Sequence, residues 1–208
     1  TDCFGAEHSG GTWLRADPEV LEDIKEFGFN LATFANNHSM DFSYNGLLQT
    51  LDNMKRYGFL NSGVGRNLSE ASAPVYLDTK EGRAALISVT ATYSPGGMAG
   101  EQSRRLPGRP GVNSLRIKRT VYVNEEDMAA LQAIAKKTKI NAYRDIIRKE
   151  GYLPQEEKGF DFDDIHFETG ETGIKNEIYE SDLKRVDKAI DEARLQADFI
   201  LISVHSHE

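Results

Sequence analysis

Apolar residues in this chain recur at helical spacing in some stretches and run together in others, and the succession of the two predicts an α/β protein. Val20, Leu21, Ile24 and Phe27 form a helical stripe that opens at Asp17-Pro18, an N-cap followed by a proline at the first helical position, and stops at Gly28. The short apolar run over 30–35 then reads as a buried strand. It delivers Asn36, Asn37, His38 and Asp41 into a loop. Leu47, Leu48, Leu51 and Met54 predict an amphipathic helix over about 43–57, ending at Gly58. Asn67 with Glu70 three residues on is the capping-box pattern of a short helical turn. Strands are expected over 74–78 and 83–91, joined by Lys80-Glu81-Gly82, the second apolar enough to be buried on both faces.

The pattern changes at Tyr93. Residues 93–114 are rich in glycine and proline and read as a long loop. A strand over 115–123 follows, then a helix capped by Asn124 with Met128, Leu131 and Ile134, then a helical piece holding Tyr143, Ile146 and Ile147. Residues 151–173 read as acidic and irregular. Residues 93–172 are therefore expected to be an insertion in a smaller α/β core. A last helix near 181–196, with Leu183, Val186, Ile190 and Ala193, feeds a strand over 199–204 that ends in His205. Open α/β sheets bind ligands at the carboxyl ends of their strands, so the polar clusters after residues 35 and 204 are the site candidates.

At 208 residues the chain has the size of one domain, or one domain with an insertion. Its net charge of −8 argues against nucleic acid as the main partner, since phosphates demand a basic surface. An anionic substrate has to be met by a local positive site or a metal ion. The single cysteine, Cys3, allows no internal disulfide. No apolar run approaches the roughly 18 residues of a membrane span. The chain starts at Thr1 and stops on a strand at His205-Ser-His-Glu208, and is expected to be one domain truncated at both ends.

Several constellations could carry chemistry. The Asn37 carbonyl oxygen can ligate a metal without adding charge, His38 can protonate a leaving group or hold a phosphoryl oxygen, and Asp41 can orient the imidazole. Asn-Asn-His is also good turn chemistry, and Asp41 or Ser43 a good N-cap; on these residues alone the turn is the better reading. On a strand, His205 and His207 share one face, which suits two ligands of one metal; Glu208 can reach in from a loop. Gly63 and Gly65, with Arg66 beside them, can approach a phosphate or simply form a tight turn. Arg104, Arg105 and Arg109 can bind carboxylates or phosphates, or be solvated. The acidic cluster 160–164 lacks the loop spacing of an EF-hand and reads as solvated loop. His8, His166 and Cys3 are assigned no role.

Taken together, Ala35-Asn-Asn-His38, Asp41, Gly46-Leu47, Thr50-Leu51, Gly63-x-Gly65-x-Asn67, Glu70-Ala71 and Pro74 resemble the bacterial capsule-synthesis family of the CapA type, also called the poly-γ-glutamate biosynthesis family. Ser203-Val-His-Ser-His-Glu208 is similar to its later strand-end histidine motif, and Gly108-Arg-Pro-Gly-Val-Asn113 to an insertion in part of the family. The resemblance covers 18–91 and 189–208. It implies a calcineurin-like metallophosphatase-type sandwich, sheets flanked by helices, with a divalent metal (Mn, Zn or Fe) at the strand ends.

By that resemblance Asn37 and His205 are expected as metal ligands, with His207 and Glu208 nearby, and His38 as the catalytic or phosphate-contacting imidazole; with the residue reading above, His207 joins the ligands and Asp41 the catalytic pair. Asn36, Arg66 and Glu208 are expected to contact substrate. The substrate class implied is an anionic polymer or a phosphorylated or carboxylated small molecule, handled by membrane-associated capsule machinery at the cell envelope. The alternative is a non-catalytic factor that holds an anionic capsular polymer through the loop arginines. Three departures from the family pattern stand out. Ser43 occupies a position where glycine is expected, no Gly-Asp or Asn-Leu-Glu motif is found before Asn30, and the late Gly-His-x-His type motif is absent because the sequence ends at Glu208.

Overall fold

The computed structural model describes residues 8, 11–153 and 158–207; Cys3 and Glu208 lie outside them. In chain order the elements are α1 (Val20–Glu26), β1 (Leu31–Thr33), α2 (Ser43–Arg56), β2 (Leu60–Ser62), β3 (Val64–Gly65), α3 (Leu68–Ser72), β4 (Val75–Thr79), β5 (Gly82–Thr90) and β6 (Gly111–Val112). There follow β7 (Ile117–Val123), α4 (Glu125–Thr138), α5 (Ala142–Lys149), β8 (Phe160–Phe162), β9 (Ile165–Thr169), β10 (Gly173–Ile178), α6 (Glu180–Arg194) and β11 (Phe199–His205). They form a mixed α/β protein with several sheets.

The chain divides into two compact units. The first comprises residues 1–116 and 180–208, the second Ile117–Tyr179. The expected 93–172 segment thus overlaps the second unit from Ile117 on, while residues 93–116 stay with the first.

The first unit is organised by β5. Its last six residues are buried, as the unbroken apolar run predicts. β5 pairs with β11 in parallel and with β4 antiparallel, around a tight turn at Lys80-Glu81 in which Gly82 faces Thr79. Helix α6 packs Ala189 and Ala193 onto Ala85 and Ile87, with Ile190 and Ile200 at the margin. A second cluster gathers Leu47, Val64 and Val112 with Phe34, Met40 and Leu51, which seats the helical stripe of α2. β1 pairs with β2 in parallel.

Gly63 ties these layers together. Its φ is +101°, and a Cβ there would lie 2.5 Å from the Ala35 Cβ and 2.9 Å from the Ser88 Cβ. Only glycine fits such a closeness between β1's end and β5.

An ion-pair network braces β5 from the α6 side. The fully buried Asp182 takes the Arg116 backbone N–H at 2.8 Å and its Nε at 2.9 Å on Oδ2. On Oδ1 it takes Arg116 Nη2 at 2.9 Å and Arg185 Nη1 at 2.6 Å. Arg185 also donates to Asn113 Oδ1, and Asn113 Nδ2 donates to the carbonyl of Ser88 on β5. Burial works to raise the Asp182 carboxyl, but the hydrogen bonds from Arg116 and Arg185 outweigh it and hold it below the usual carboxylate range.

The second unit is a four-stranded sheet in the order β10-β7-β9-β8, in which β7 and β9 are parallel and the other pairs antiparallel. Helix α4 starts as expected, with the Asn124 side chain accepting from the Asp127 N–H. Residues 158–173 do not form the irregular stretch their acidity suggests. Phe160 and Phe162 alternate with Asp161, Ile165 and Phe167 with His166, and a turn at Asp163, φ +55°, joins the two strands. Asp161 is not a solvated loop carboxylate. It pairs with Arg144 at 2.7 Å and with His166 Nδ1 at 2.8 Å.

Two further helix starts differ from expectation. Asp17 and Pro18 begin a turn through their carbonyls, accepting from Val20 and Leu21, and regular α1 starts only at Val20. α2 is capped by neither Asp41 nor Ser43. Its N-cap position is Phe42 and no side chain caps it, because the Asp41 carboxylate is occupied elsewhere.

Candidate functional site

The site lies in the first unit, where the carboxyl ends of β1, β5 and β11 face one region. The loop after β1 is set by its own side chains. Asn36 Oδ1 accepts from the His38 N–H at 2.9 Å and from Ser39 Oγ, and Ser39 Oγ in turn donates to the Phe34 carbonyl. These bonds make the Asn-Asn-His turn chemistry real. They also turn Asn37 and His38 outward into a cleft of about 630 Å³ with Asp41, Leu14 and Ser94.

His38 is oriented as the sequence suggested. Its Nδ1 lies 2.9 Å from Asp41 Oδ2. The same oxygen accepts the backbone N–H of Leu14 at 2.7 Å, and Asp41 is buried. With Nδ1 committed to the carboxylate, Nε2 is the ring nitrogen left for chemistry.

The far strand closes the arrangement. β11 ends at His205, in register with Thr90, and His205 Nε2 lies 3.0 Å from Asn37 Oδ1 across 168 residues of sequence. The His207 ring stands 5.0 Å from that of His205, centroid to centroid, and its backbone N–H donates to Thr92 Oγ1 at 2.9 Å. The structure therefore brings together Asn37, His38, Asp41, His205 and His207.

Arg66 is placed otherwise. Its guanidinium pairs with Asp52 of α2 at 3.2 Å and lies 3.9 Å from Glu70 of α3, away from the cluster. Gly63 makes the bend at φ +101°, while Gly65 lies in β3, packed against Glu70 and Ala71. Arg109 is pinned by Nε to the Met98 carbonyl, whereas Arg104 and Arg105 are exposed.

The donor set bears on a metal. Asn37 Oδ1 and His205 Nε2 stand at hydrogen-bond distance, 3.0 Å, which is also about the separation of two donors on adjacent octahedral positions of one ion. Both are neutral ligands of borderline ions, and the His207 ring is beside them. Among the described residues no group of three or more His, Cys, Asp or Glu side chains is arranged to hold a metal. The described residues thus supply a two-donor start with His207 adjacent.

Sequence reasoning missed two contributors. Leu14 reaches Asp41 through a backbone N–H, which no side-chain pattern reveals. Thr92 was legible in principle: it follows β5, the strand parallel to β11, by two residues, so it falls beside the residues after His205.

Residues 4–208 match the sequence profile of the bacterial capsule synthesis protein PGA_cap family. The chain belongs to that family. Two relatives are Uncharacterized protein y4sH and Uncharacterized protein y4uA of Sinorhizobium fredii (strain NBRC 101917 / NGR234). Each is 30% identical over 200 residues, 96% of this chain and 41% of the relative. The Capsule biosynthesis protein CapA of Bacillus anthracis is 28% identical over 100 residues, 48% of this chain and 24% of that protein. The chain spans about two-fifths of the length of the first two relatives. Among its described residues no helix is long and apolar enough to cross a membrane.

Proposed function

We propose that this capsule synthesis family protein is a metal-dependent hydrolase of phosphoester type, built on a calcineurin-like sandwich and acting on a phosphoryl- or carboxyl-containing substrate at the cell envelope. The observation that carries the reading is the meeting of Asn37 Oδ1 and His205 Nε2 at 3.0 Å across 168 residues of sequence, with Asn37 also lining a cleft it shares with His38 and Asp41. Asn37 and His205, with His207 beside them, would hold a divalent ion, Mn, Zn or Fe. Such an ion polarises a phosphoryl or carboxyl oxygen and favours a water nucleophile.

The chain's own groups do the rest. Asp41, held by Leu14 N–H, fixes the His38 ring through Nδ1, so a protonated His38 presents its Nε2 proton to the leaving oxygen. Asn36 acts as a positioning residue, since its carboxamide oxygen holds the His38 backbone N–H. Arg66 and Glu208 take no part in this reading.

The test is hydrolysis of an aryl phosphate by Mn2+-loaded protein, with and without chelator. His38→Ala is expected to lower kcat by about 10²–10⁴-fold, with metal content unchanged. Turnover that survives both chelation and His38→Ala contradicts the assignment. A second reading is favoured by Arg104 and Arg105, which are exposed and make no ion pair among the described residues: the protein holds an anionic capsular polymer without cleaving it. Polymer retention that is lost in Arg104→Glu/Arg105→Glu and indifferent to chelator, with no turnover, selects that reading.

A further inference from the structure

The cleft at Asn37 and His38 has a neighbour. The stretch 14–24 and α2 enclose a second cavity of about 280 Å³, walled by Leu14, Val20, Leu21, Ile24 and Met54. Packed interiors hold few voids larger than a water molecule, and a space of this size is near the lower end of small-ligand pockets. Val20 and Ile24 on its wall are exposed, so it is an open surface pocket and not an interior void.

One end of this cavity is polar and belongs to the catalytic loop. Leu14 and His38 line both cavities, while Asn36 lines only the second and Asn37 only the first. The Asn36 oxygen is committed to the His38 N–H and Ser39 Oγ, and its amide N–H groups have no protein partner among the described residues. A hydrogen-bond donor thus stands at the polar end. Leu14 N–H and His38 Nδ1 share one anchor, Asp41 Oδ2, at 2.7 and 2.9 Å. The wall of this second cavity and the orientation of the imidazole are mechanically one piece.

We infer that this cavity is a subsite for an apolar substituent of the substrate. The ligand class is a phosphate ester with a short aliphatic group: the anionic head lies with Asn37 and His205, and the hydrocarbon passes Leu14 and His38 to rest against Leu21, Ile24 and Met54. This rests on the reading of Asn37, His38 and His205 as the head-group site. It adds a preference for a hydrocarbon-bearing ester over a bare phosphate, because Leu21, Ile24 and Met54 on the wall reward apolar burial, with Arg15 and Asp17 also lining the cavity.

The experiment titrates Mn2+-loaded wild type and Val20→Trp with methyl phosphate, hexyl phosphate and hexan-1-ol. Affinity is read by calorimetry, and methyl resonances of Leu21, Ile24 and Met54 by NMR. Val20 is 41% exposed at the cavity wall, so an indole there fills the cavity without entering the core; far-UV circular dichroism checks the fold. Hexyl phosphate is expected to bind at least about tenfold tighter than methyl phosphate, as burial of several methylenes requires. Val20→Trp removes that factor and leaves methyl phosphate binding unchanged. If neither phosphate binds but hexan-1-ol still shifts the three methyl signals, and less so in Val20→Trp, the cavity stands and the head-group reading falls. Equal affinity for the two phosphates, with no methyl shift from hexan-1-ol, overturns the inference.

Discussion

Replacing Asp182 with asparagine keeps the side chain's shape and removes its charge. The wild-type carboxylate is fully buried and accepts four hydrogen bonds, three from Arg116 and one from Arg185. An amide retains one acceptor oxygen and turns an N–H₂ toward guanidinium donors. Breaking a buried ion pair from one side costs about 3–5 kcal/mol. The lower end applies here, because the Arg116 side chain is 40% exposed and water takes over part of its charge. We expect a loss of about 3 kcal/mol, which at a urea m-value of about 2 kcal/mol/M moves the midpoint down by about 1.5 M. Trp13 is the only tryptophan and lies in the same compact unit, so its fluorescence follows the transition that matters.

The pH dependence has a definite sign. The folded carboxyl lies below its ordinary value of 3.8, so the unfolded chain takes up the proton first as pH falls. The advantage of wild type over Asp182→Asn is complete above about pH 5 and is lost as pH falls through 3.8 and then through the folded value. A difference below about 1 kcal/mol at pH 7, or one that grows on acidification, refutes the reasoning.

Other substitutions probe the site and its supports. Asp41→Asn unseats Leu14 N–H and His38 Nδ1 together; kcat on an aryl phosphate is expected to fall at least about tenfold, with KM nearly constant, by analogy with other carboxylates that orient a catalytic histidine. Gly63→Ala meets the Ala35 and Ser88 Cβ atoms at a φ of +101° and is expected to cost at least about 2 kcal/mol by urea denaturation. Ser43 holds a φ of +52°, the left-handed region that favours glycine. Ser43→Val is therefore expected to lose about 1 kcal/mol or more, while Ser43→Gly leaves the melting temperature level or raises it.

What the sequence made legible follows from how each part is encoded. β5 and α6 declare themselves because long runs of Leu86, Ile87 and Val89, or of Leu183, Val186 and Ile190, leave little choice of period. β1 shrinks to three residues because Phe34 and Ala35 already turn into the loop that Asn36 and Ser39 tie. β8 and β9 were hidden by composition: the carboxylates of Asp161, Asp163 and Asp164 masked the alternation of Phe160, Phe162, Ile165 and Phe167. The closeness of Asn37 to His205 was suggested by family resemblance, since spacing along the chain says nothing about a contact across 168 residues. Arg66 misled because a residue beside two glycines looks like an anion ligand until Asp52 and Glu70 are placed around it.

The most direct test of the account is a Mn2+ titration of the wild-type chain against Asn37→Ala and His205→Ala. Binding is read by calorimetry, and the metal's neighbourhood by paramagnetic broadening of the His205 imidazole signals. One ion per chain is expected, with broadening at His205 and affinity at least about tenfold weaker in each variant. A wild type that takes up no Mn2+, or that keeps its affinity when both Asn37 and His205 are changed, contradicts the claim that these two side chains form the metal site.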